Sequence, residues 1–236
     1  MPHHTAAPQL SGVFLADKPS GWTSHDAVMV LRRKLGESRI GHAGTLDPLA
    51  TGLLVMLVGK AASRQAEFQK ARKTYEGVIA FGAETDTWDA AGKSVSSAAV
   101  PPYAYELIQK ASARYSGEIE QTVPLYSAAK KGGVALHRLA RQGRPPDTLP
   151  VKKVSIYAWE LRGWNGQELV FRLECSSGTY VRSIAQELGR AVGCGAHLKS
   201  LRRVCAGGFS VEQAVGLEQL KAMPQEEAAR LLRQLP

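Results

Sequence analysis

The sequence predicts an α+β fold with a mixed, mainly antiparallel sheet and flanking helices. In residues 167–176 apolar and polar side chains alternate, which is typical of a half-buried antiparallel strand. Next comes an apolar stripe at helical spacing, formed by Val181, Ile184, Ala185 and Leu188. Strands and helices follow each other without a regular βαβ alternation, which favours α+β over α/β.

The first part of the chain contributes short elements. Residues 13–16 predict a strand, and residues 18–21 predict a turn because they contain Pro and Gly. Ser24 is the predicted N-cap of a helix. The predicted core-facing side chains of this helix are Ala27, Val28, Leu31 and Leu35. Residues 53–58 form an apolar run of strand length.

The middle of the chain predicts a strand and two helices. Residues 74–82 are rich in β-branched and aromatic side chains, as strands are. Pro101 and Pro102 open a predicted helix. The side chains of this helix expected to face the core are Leu107, Ile108 and Ala111. A short helix is predicted over residues 134–142, ended by Gly143.

The second half predicts the order strand, strand, helix, strand. Residues 151–164 form the strand that precedes residues 167–176, and Gly193 ends the helix. Two short helices follow, and Pro224 begins the last of them.

The charge of the chain is strongly basic. Its 236 residues include 30 Lys and Arg against 21 Asp and Glu, which gives a formal charge of +9 and a pI near 9.6. Residues 121–146 contain no acidic residue and five basic ones, namely Lys130, Lys131, Arg138, Arg141 and Arg144. Surface helices normally mix both signs, so this stretch predicts a face that binds nucleic-acid phosphates. A merely solvated basic face is the alternative.

Composition also limits the class of protein. No run approaches the roughly 20 apolar residues that cross a bilayer, and no secretory leader is visible at the N-terminus. The three cysteines have no CxxC spacing, which argues against a disulfide framework or a zinc site. We therefore expect a cytoplasmic protein.

The most unusual segment is residues 41–54, GHAGTLDPLATGLL. Three glycines, a proline and two threonines surround a single carboxylate, Asp47, directly before the apolar run. Glycines permit close backbone approach and positive φ. An Asp before Pro is more often a turn former, so both a turn and a catalytic role stay open on the residues alone. A phosphate-binding P-loop is excluded because GxxxxGK[ST] is absent.

This segment resembles the central motif of the tRNA T-loop pseudouridine synthases (the tRNA pseudouridine-55 synthase family), close to GHxGxLDPxAxGxL. Other blocks of that family occur in the same order, at residues 15–24, 73–75, 82–87, 126–130, 140–143, 178–183, 195–198 and 201–203. Leu125 stands where the family usually has a second proline, and His137 where an aromatic is common. The resemblance implies a pseudouridine synthase sheet with a basic RNA-binding groove.

The resemblance also implies the chemistry. The N1–C1′ bond of a uridine breaks, the base turns, and it rejoins the ribose through C5. Asp47 is the implied catalytic carboxylate, acting as nucleophile or as base, with Arg182 as its cationic partner. Tyr75 is implied to stack on the target base and is also a candidate for proton transfer. No metal or cofactor is implied, because the reaction is an isomerisation.

The position of Arg182 in the sequence independently indicates a functional role. It falls in the first turn of a predicted helix, where the helix dipole disfavours a cation. On the residues alone, a surface arginine is the alternative.

The implied RNA-binding residues include aromatic, apolar and basic side chains. His42 would fill the gap that the uridine leaves in its stack, and Leu201 would pack under the base. The others lie in or beside matching motifs and are Lys18, Tyr180, Lys130, Lys131, Arg141, Arg202 and Arg203. For His42, Tyr75 and Leu201 an ordinary structural role is the alternative.

The expected organisation is a catalytic domain over residues 11–220 and a helical tail over residues 221–236. We expect no C-terminal RNA-binding (PUA) domain, which the family usually has. The expected partner is the T-arm of tRNA, bound by a monomer, with no membrane and no metal.

Three other functions are alternatives. A relative in the guide-RNA-dependent dyskerin branch shares the catalytic motif but carries a PUA domain. A non-catalytic RNA-binding protein does not need a carboxylate that faces phosphates. An Asp-dependent phosphohydrolase needs further carboxylates for a metal, and Asp86 and Asp89 lack HxD-type spacing.

Overall fold

The computed structural model of the protein describes residues 10–235. The strands are β1 (Gly12–Lys18), β2 (Ile40–His42), β3 (Thr51–Val58), β4 (Lys73–Phe81), β5 (Ala83–Thr85), β6 (Ser94–Ser97), β7 (Gly117–Thr122), β8 (Lys130–Lys131), β9 (Val134–Ala135), β10 (Val151–Trp164), β11 (Glu168–Cys175), β12 (Ala196–Ala206), β13 (Phe209–Ser210) and β14 (Val215–Gly216). The α-helices are α1 (Ser24–Leu35), α2 (Gln65–Lys70), α3 (Ala104–Ser112), α4 (Leu136–Arg141), α5 (Val181–Val192), α6 (Leu217–Ala222) and α7 (Gln225–Arg230). Two 3₁₀ helices cover Gly59–Arg64 and Val211–Gln213.

The chain divides into two compact units. The first unit consists of residues 1–73 and 202–236, of which 10–73 and 202–235 are described, and the second of residues 74–201. The chain passes from one unit to the other within β4 and β12. Residues 221–235, predicted as a tail, belong to the first unit, while the functional limits 11–220 and 221–236 stay a prediction.

The first unit is built around β3. This strand is antiparallel to β1 and β2 and parallel to the last part of β12, where Arg202 lies opposite Thr51. Strands β1 and β3 are buried on both faces, which explains their nearly continuous apolar sequence. One core cluster consists of Val13, Leu15, Ala43, Leu53, Val55, Leu57, Ala61, Ala206 and Val211.

Helix α1 begins with a local capping contact. Its N-cap is Thr23, whose hydroxyl accepts from the Asp26 N–H in a capping box, so the predicted cap Ser24 is wrong by one residue. The Ser24 hydroxyl instead forms hydrogen bonds with the main chain of Leu46. The four predicted core-facing side chains of α1 are all buried, as expected.

The second unit contains the long antiparallel pair β10 and β11, with β7 antiparallel on the other side of β10. The alternation predicted for β11 is confirmed, because its inward-facing side chains, Leu169, Phe171, Leu173 and Cys175, are fully buried. Helix α5 ends at Gly193, whose φ of +85° is the left-handed conformation that favours glycine. Together with the first unit, these pairings confirm a mixed, mainly antiparallel α+β fold.

Two predicted helices differ from the structure in detail. Helix α4 begins at Leu136 and not at residue 134, because Val134 and Ala135 pair with β8 as β9. Helix α3 buries Ile108 as predicted, but Leu107 and Ala111 are only half-buried. Its other buried positions are Ala104 and Ser112, so the buried stripe follows the i, i+4 spacing of a single helix face. Among the described residues no helix is long and apolar enough to cross a membrane.

Candidate active site

Asp47 lies in the loop between β2 and β3, and the residue before it is fixed by a pair of hydrogen bonds. The N–H of Leu46 donates to Ser24 Oγ over 2.9 Å, and Ser24 Oγ donates to the Leu46 carbonyl over 3.1 Å. Ser24 is 2% exposed, so both bonds are shielded from water. The first turn of α1 therefore sets the entry to the Asp47 turn.

The residues after Asp47 are held by the segment that follows β1. The Gly21 N–H donates to the Pro48 carbonyl over 2.8 Å, and the Ser20 hydroxyl donates to the Leu49 carbonyl over 3.3 Å. The Ala50 N–H closes the turn by donating to the Asp47 carbonyl over 3.0 Å. The sequence block at residues 15–24 thus acts physically as a cradle for the Asp47 loop.

Lys18 is fully buried within this cradle. It is 0% exposed, and its ammonium donates to the carbonyls of Pro19, Trp22 and Pro48 at 2.8, 2.7 and 3.4 Å. Burial lowers the pKa of Lys18 to about 8, with the Asp47 charge opposing this shift and the Arg203 charge adding to it. Lys18 thus holds the loop from inside the protein. The RNA contact predicted for Lys18 stays a prediction, and the burial of this side chain argues against it.

The two neighbouring arginines in the last part of β12 have different surroundings. Arg202 forms a two-point ion pair with Asp17, at 3.0 and 2.7 Å, and is half-buried. Arg203 is 1% exposed and donates to the carbonyls of Leu53 and Gly44. In the first unit the structure therefore brings Lys18, Asp47 and Arg203 into one neighbourhood.

His42 is half-buried on β2, opposite Met56. Gln65 Nε2 donates to its carbonyl over 3.0 Å, and its Nδ1 is buried without a hydrogen-bond partner in the described structure. Burial, followed by the charges of Arg203 and His25, lowers the pKa of His42. The imidazole is therefore neutral at physiological pH and offers a planar, uncharged ring.

Arg182 is the second residue of α5 and is 5% exposed. Nη1 donates to the Thr87 carbonyl over 3.0 Å, Nη2 to the Tyr126 carbonyl over 3.1 Å, and Nε lies 3.7 Å from Asp89 Oδ2. The alternative of a surface arginine is therefore wrong. Within the second unit, three blocks that are separate in sequence meet at this guanidinium.

A strained turn places the partners of Arg182. Trp88, between Thr87 and Asp89, has a φ of +63°, which is uncommon for a bulky residue. Asp89 Oδ1 accepts from Thr87 Oγ1 over 2.6 Å and from the Ala91 N–H over 3.0 Å. Sequence reasoning considered Asp89 only as a metal ligand and missed it here. The block at residues 82–87 ends at Thr87, and Asp89 follows two residues later. That proximity to a family motif was the signal in the sequence that could have indicated a role for Asp89 at this site.

Three further predicted residues lie in the second unit. Tyr75 is 9% exposed on β4, and Leu201 is half-buried on β12. Tyr180 is the N-cap of α5, and the buried Gln121 side chain holds its main chain. Gln121 Oε1 accepts from the Tyr180 N–H over 3.0 Å, and Gln121 Nε2 donates to its carbonyl over 3.3 Å.

The predicted phosphate-binding side chains between residues 121 and 146 are exposed. Lys130 and Lys131 form β8, and Arg141 ends α4. The Lys131 ammonium donates to Thr148, which steadies the hairpin of β8 and β9. His137 Nδ1 donates to the Ser127 carbonyl over 2.8 Å, so the residue that departs from the family pattern closes the base of this hairpin.

No group of three or more His, Cys, Asp or Glu side chains within residues 10–235 is arranged to hold a metal ion. The three cysteines are free thiols, two of them buried.

Comparison with known proteins identifies the family. Residues 32–181 match the model of the TruB family pseudouridylate synthase (N terminal domain), which is more than half of the chain. The chain belongs to the TruB family. Residues 182–235 match the C-terminal domain of tRNA pseudouridylate synthase B. As a TruB family member the protein is a pseudouridine synthase, an enzyme that isomerises uridine to pseudouridine.

Curated relatives match the TruB family chain over most of its length. The tRNA pseudouridine synthase B of Opitutus terrae is 44% identical over 95% of this chain and 92% of its own. The protein of the same name from Bordetella parapertussis is 42% identical over 96% of this chain and 94% of its own.

Solved structures confirm the pseudouridine synthase fold. The archaeal box H/ACA sRNP Nop10-Cbf5 complex contains a chain with a TM-score of 0.67 and 25% identity. A Cbf5-Nop10-Gar1 complex contains one with a TM-score of 0.65 and 27% identity. The TruB family chain covers 59% and 61% of those chains, respectively.

The lowered pKa of Lys18 predicts a pH-dependent stability. Between about pH 8 and the usual lysine pKa of 10.5, the unfolded chain keeps a proton on Lys18 that the folded chain has lost. Stability therefore rises with pH across this window, relative to a Lys18→Met variant that cannot titrate. Urea unfolding of both proteins at pH 7.5 and pH 10 checks this. A constant difference in the free energy of unfolding would show that Lys18 titrates normally.

Proposed function

We propose that this protein isomerises the T-loop uridine of tRNA, at position 55, to pseudouridine, with Asp47 as the catalytic carboxylate. The observation that supports this most is the construction of the Asp47 loop. Its main chain is bonded at Leu46, Pro48 and Leu49 by groups from another part of the first unit. An exposed turn leaves its carbonyls to water, whereas a catalytic carboxylate gains from a loop that is held in place.

The reaction needs one well-placed carboxylate and no net change in composition. The C1′–N1 bond breaks and a C1′–C5 bond forms, while the C5 proton leaves and N1 takes up a proton. A carboxylate can serve as the nucleophile at C1′ or as the base toward the ribose, and both roles need its negative charge. Asp47 fits either role.

Arg182 and Tyr75 complete the proposed catalytic set. For Arg182 we propose the part that the family resemblance gives it, that of a cation stabilising the Asp47 carboxylate. Its burial and its bonds to Thr87 and Tyr126 fix a guanidinium that a surface position would leave mobile. For Tyr75 we propose stacking on the target base, and for His42 the place of the departed base.

The proposed partner is the T-arm of tRNA. The relatives in Opitutus and Bordetella carry tRNA in their names, and Lys130, Lys131 and Arg141 expose positive charge suited to phosphates. Tyr180, Leu201 and Arg202 belong to the proposed RNA-binding set. We propose that a monomer acts in the cytoplasm, where its three free thiols stay reduced.

Tritium release tests the reaction. RNA labelled with tritium at uridine C5 loses its label to water only if the base is rejoined through C5. Protein treated with a chelator should release the label at the untreated rate. Binding without release would overturn the isomerase proposal, and release that requires added metal would overturn the metal-free mechanism.

Asp47→Asn should abolish turnover while leaving RNA binding within about threefold, because it removes a charge and keeps the shape of the side chain. We expect a single-turnover rate below about a hundredth of wild type, as loss of an essential catalytic group usually costs at least that. The matched control is Asp147→Asn, the same change at an exposed residue. A residual rate above that limit would contradict the assignment of Asp47.

Arg182→Lys should also be severely impaired, although the charge is kept. A lysine cannot reproduce the planar fork that reaches two carbonyls and a carboxylate at once. Rates at saturating RNA are the measurement, with Arg190→Lys, an exposed arginine of the same helix, as control. A near wild-type rate for Arg182→Lys would remove Arg182 from the catalytic set.

A T-arm stem-loop should be nearly as good a substrate as whole tRNA. Exchanging Lys130 and Arg141 for glutamine should raise KM and change kcat little. The slope of log affinity against log salt should fall by about one for each phosphate that these side chains no longer neutralise. Arg230→Gln, on the exposed side of α7, is the control. A preference for whole tRNA above about a hundredfold, some 2.7 kcal/mol, would show that binding outside the T-arm dominates.

A further inference from the structure

Arg203 donates hydrogen bonds to the main chain at both ends of the Asp47 loop. Its Nε donates to the Leu53 carbonyl over 2.7 Å, and its Nη2 donates to the Gly44 carbonyl over 3.1 Å. These two carbonyls stand immediately outside residues 45–52, the stretch that contains Asp47. One planar guanidinium therefore sets the distance between the start and the end of the loop.

Two glycines with positive φ bring the main chain of the Asp47 segment close to Arg203. Gly52 lies opposite Arg203 in the parallel pair of β3 and β12, with a φ of +97°. A Cβ on Gly52 would stand 2.4 Å from the Arg203 carbonyl oxygen, so the close approach requires glycine there. At the start of the segment, Gly44 has a φ of +99°, and a Cβ added to it would lie 3.5 Å from Arg203 Nη1.

The burial of Arg203 indicates a role beyond packing. A cation that is 1% exposed costs free energy unless hydrogen bonds compensate for the lost water. Arg203 also stands near a second buried cation, Lys18, whose pKa it helps to lower. An apolar side chain would fill the same space without either cost, but it could not bond the Gly44 and Leu53 carbonyls.

We propose that Arg203 is a positioning residue for catalysis, which orients Asp47 by fixing the two ends of its loop, and that it does not bind RNA phosphate. This inference rests on the proposed role of Asp47. It replaces the RNA-binding role that the sequence predicts for Arg203. Its neighbour Arg202, paired with Asp17 and half-buried, keeps the predicted RNA-binding role.

The first test separates the rate from binding. Arg203→Lys keeps the charge but loses the two-point fork, and Arg203→Gln keeps one donor and loses the charge. Each should lower the single-turnover rate at saturating RNA by about tenfold or more, with the RNA Kd within about threefold of wild type. Arg202→Gln, which removes the charge, should show the opposite pattern, a raised Kd with little change in rate. Arg162→Lys, an exposed arginine paired with Glu160, is the control for the substitution itself.

The second test observes the loop directly. Amide hydrogen exchange of residues 44–53 should be faster in Arg203→Lys than in wild type, while exchange in α1 stays unchanged. This readout does not depend on the catalytic role of Asp47. If Asp47→Asn keeps its activity but exchange of residues 44–53 is still faster in Arg203→Lys, the proposed function fails. The proposal that Arg203 fixes the two ends of the loop then still holds.

Three results would overturn the proposal. One is a raised Kd with a normal rate in the Arg203 variants, which would restore the RNA-binding role. Another is unchanged exchange in residues 44–53. The third is loss of the fold in both Arg203 variants, judged by circular dichroism and urea unfolding, which would show that Arg203 stabilises the first unit as a whole.

Discussion

The first unit depends on satisfying the main-chain carbonyls of a loop that has no regular secondary structure. Buried carbonyls need donors, and Ser24, Lys18 and Arg203 supply them to the loop that carries Asp47. Two of these donors are cations with at most 1% exposure, which would be costly without those same carbonyls. The loop and the buried cations therefore stabilise each other, and the position of the carboxylate follows from both.

The second unit fixes its own catalytic candidate in the same manner. Arg182 is held by the carbonyls of Thr87 and Tyr126, with Asp89 as the nearby anion. The left-handed Trp88 turns the chain so that Thr87 and Asp89 both face the guanidinium. Strain of this kind, of order 1–3 kcal/mol, persists where the surrounding structure over-determines the conformation.

The basic charge of the chain serves two purposes. Lys130, Lys131 and Arg141 are exposed and suited to phosphates, whereas Lys18, Lys73, Arg182 and Arg203 are buried and bonded to main-chain carbonyls. The formal charge of +9 therefore overstates the positive charge that the protein exposes to RNA. In this pseudouridine synthase the motifs of the family contain both kinds of cation, and the sequence does not distinguish them.

Local patterns determined much of the fold and drew attention to the Asp47 segment. The alternation in β11, the stripe of α5 and the end of that helix at Gly193 were predictable because each depends on neighbours a few residues away. The Asp47 segment was recognisable because its glycines and proline are concentrated in one short stretch. Tertiary structure alone decided that Ser24 bonds Leu46 and does not cap α1, that Asp89 faces Arg182, and that Arg203 is buried. Arg203 reaches a carbonyl 150 residues earlier in the chain, and no local spacing or propensity encodes a partner at that separation.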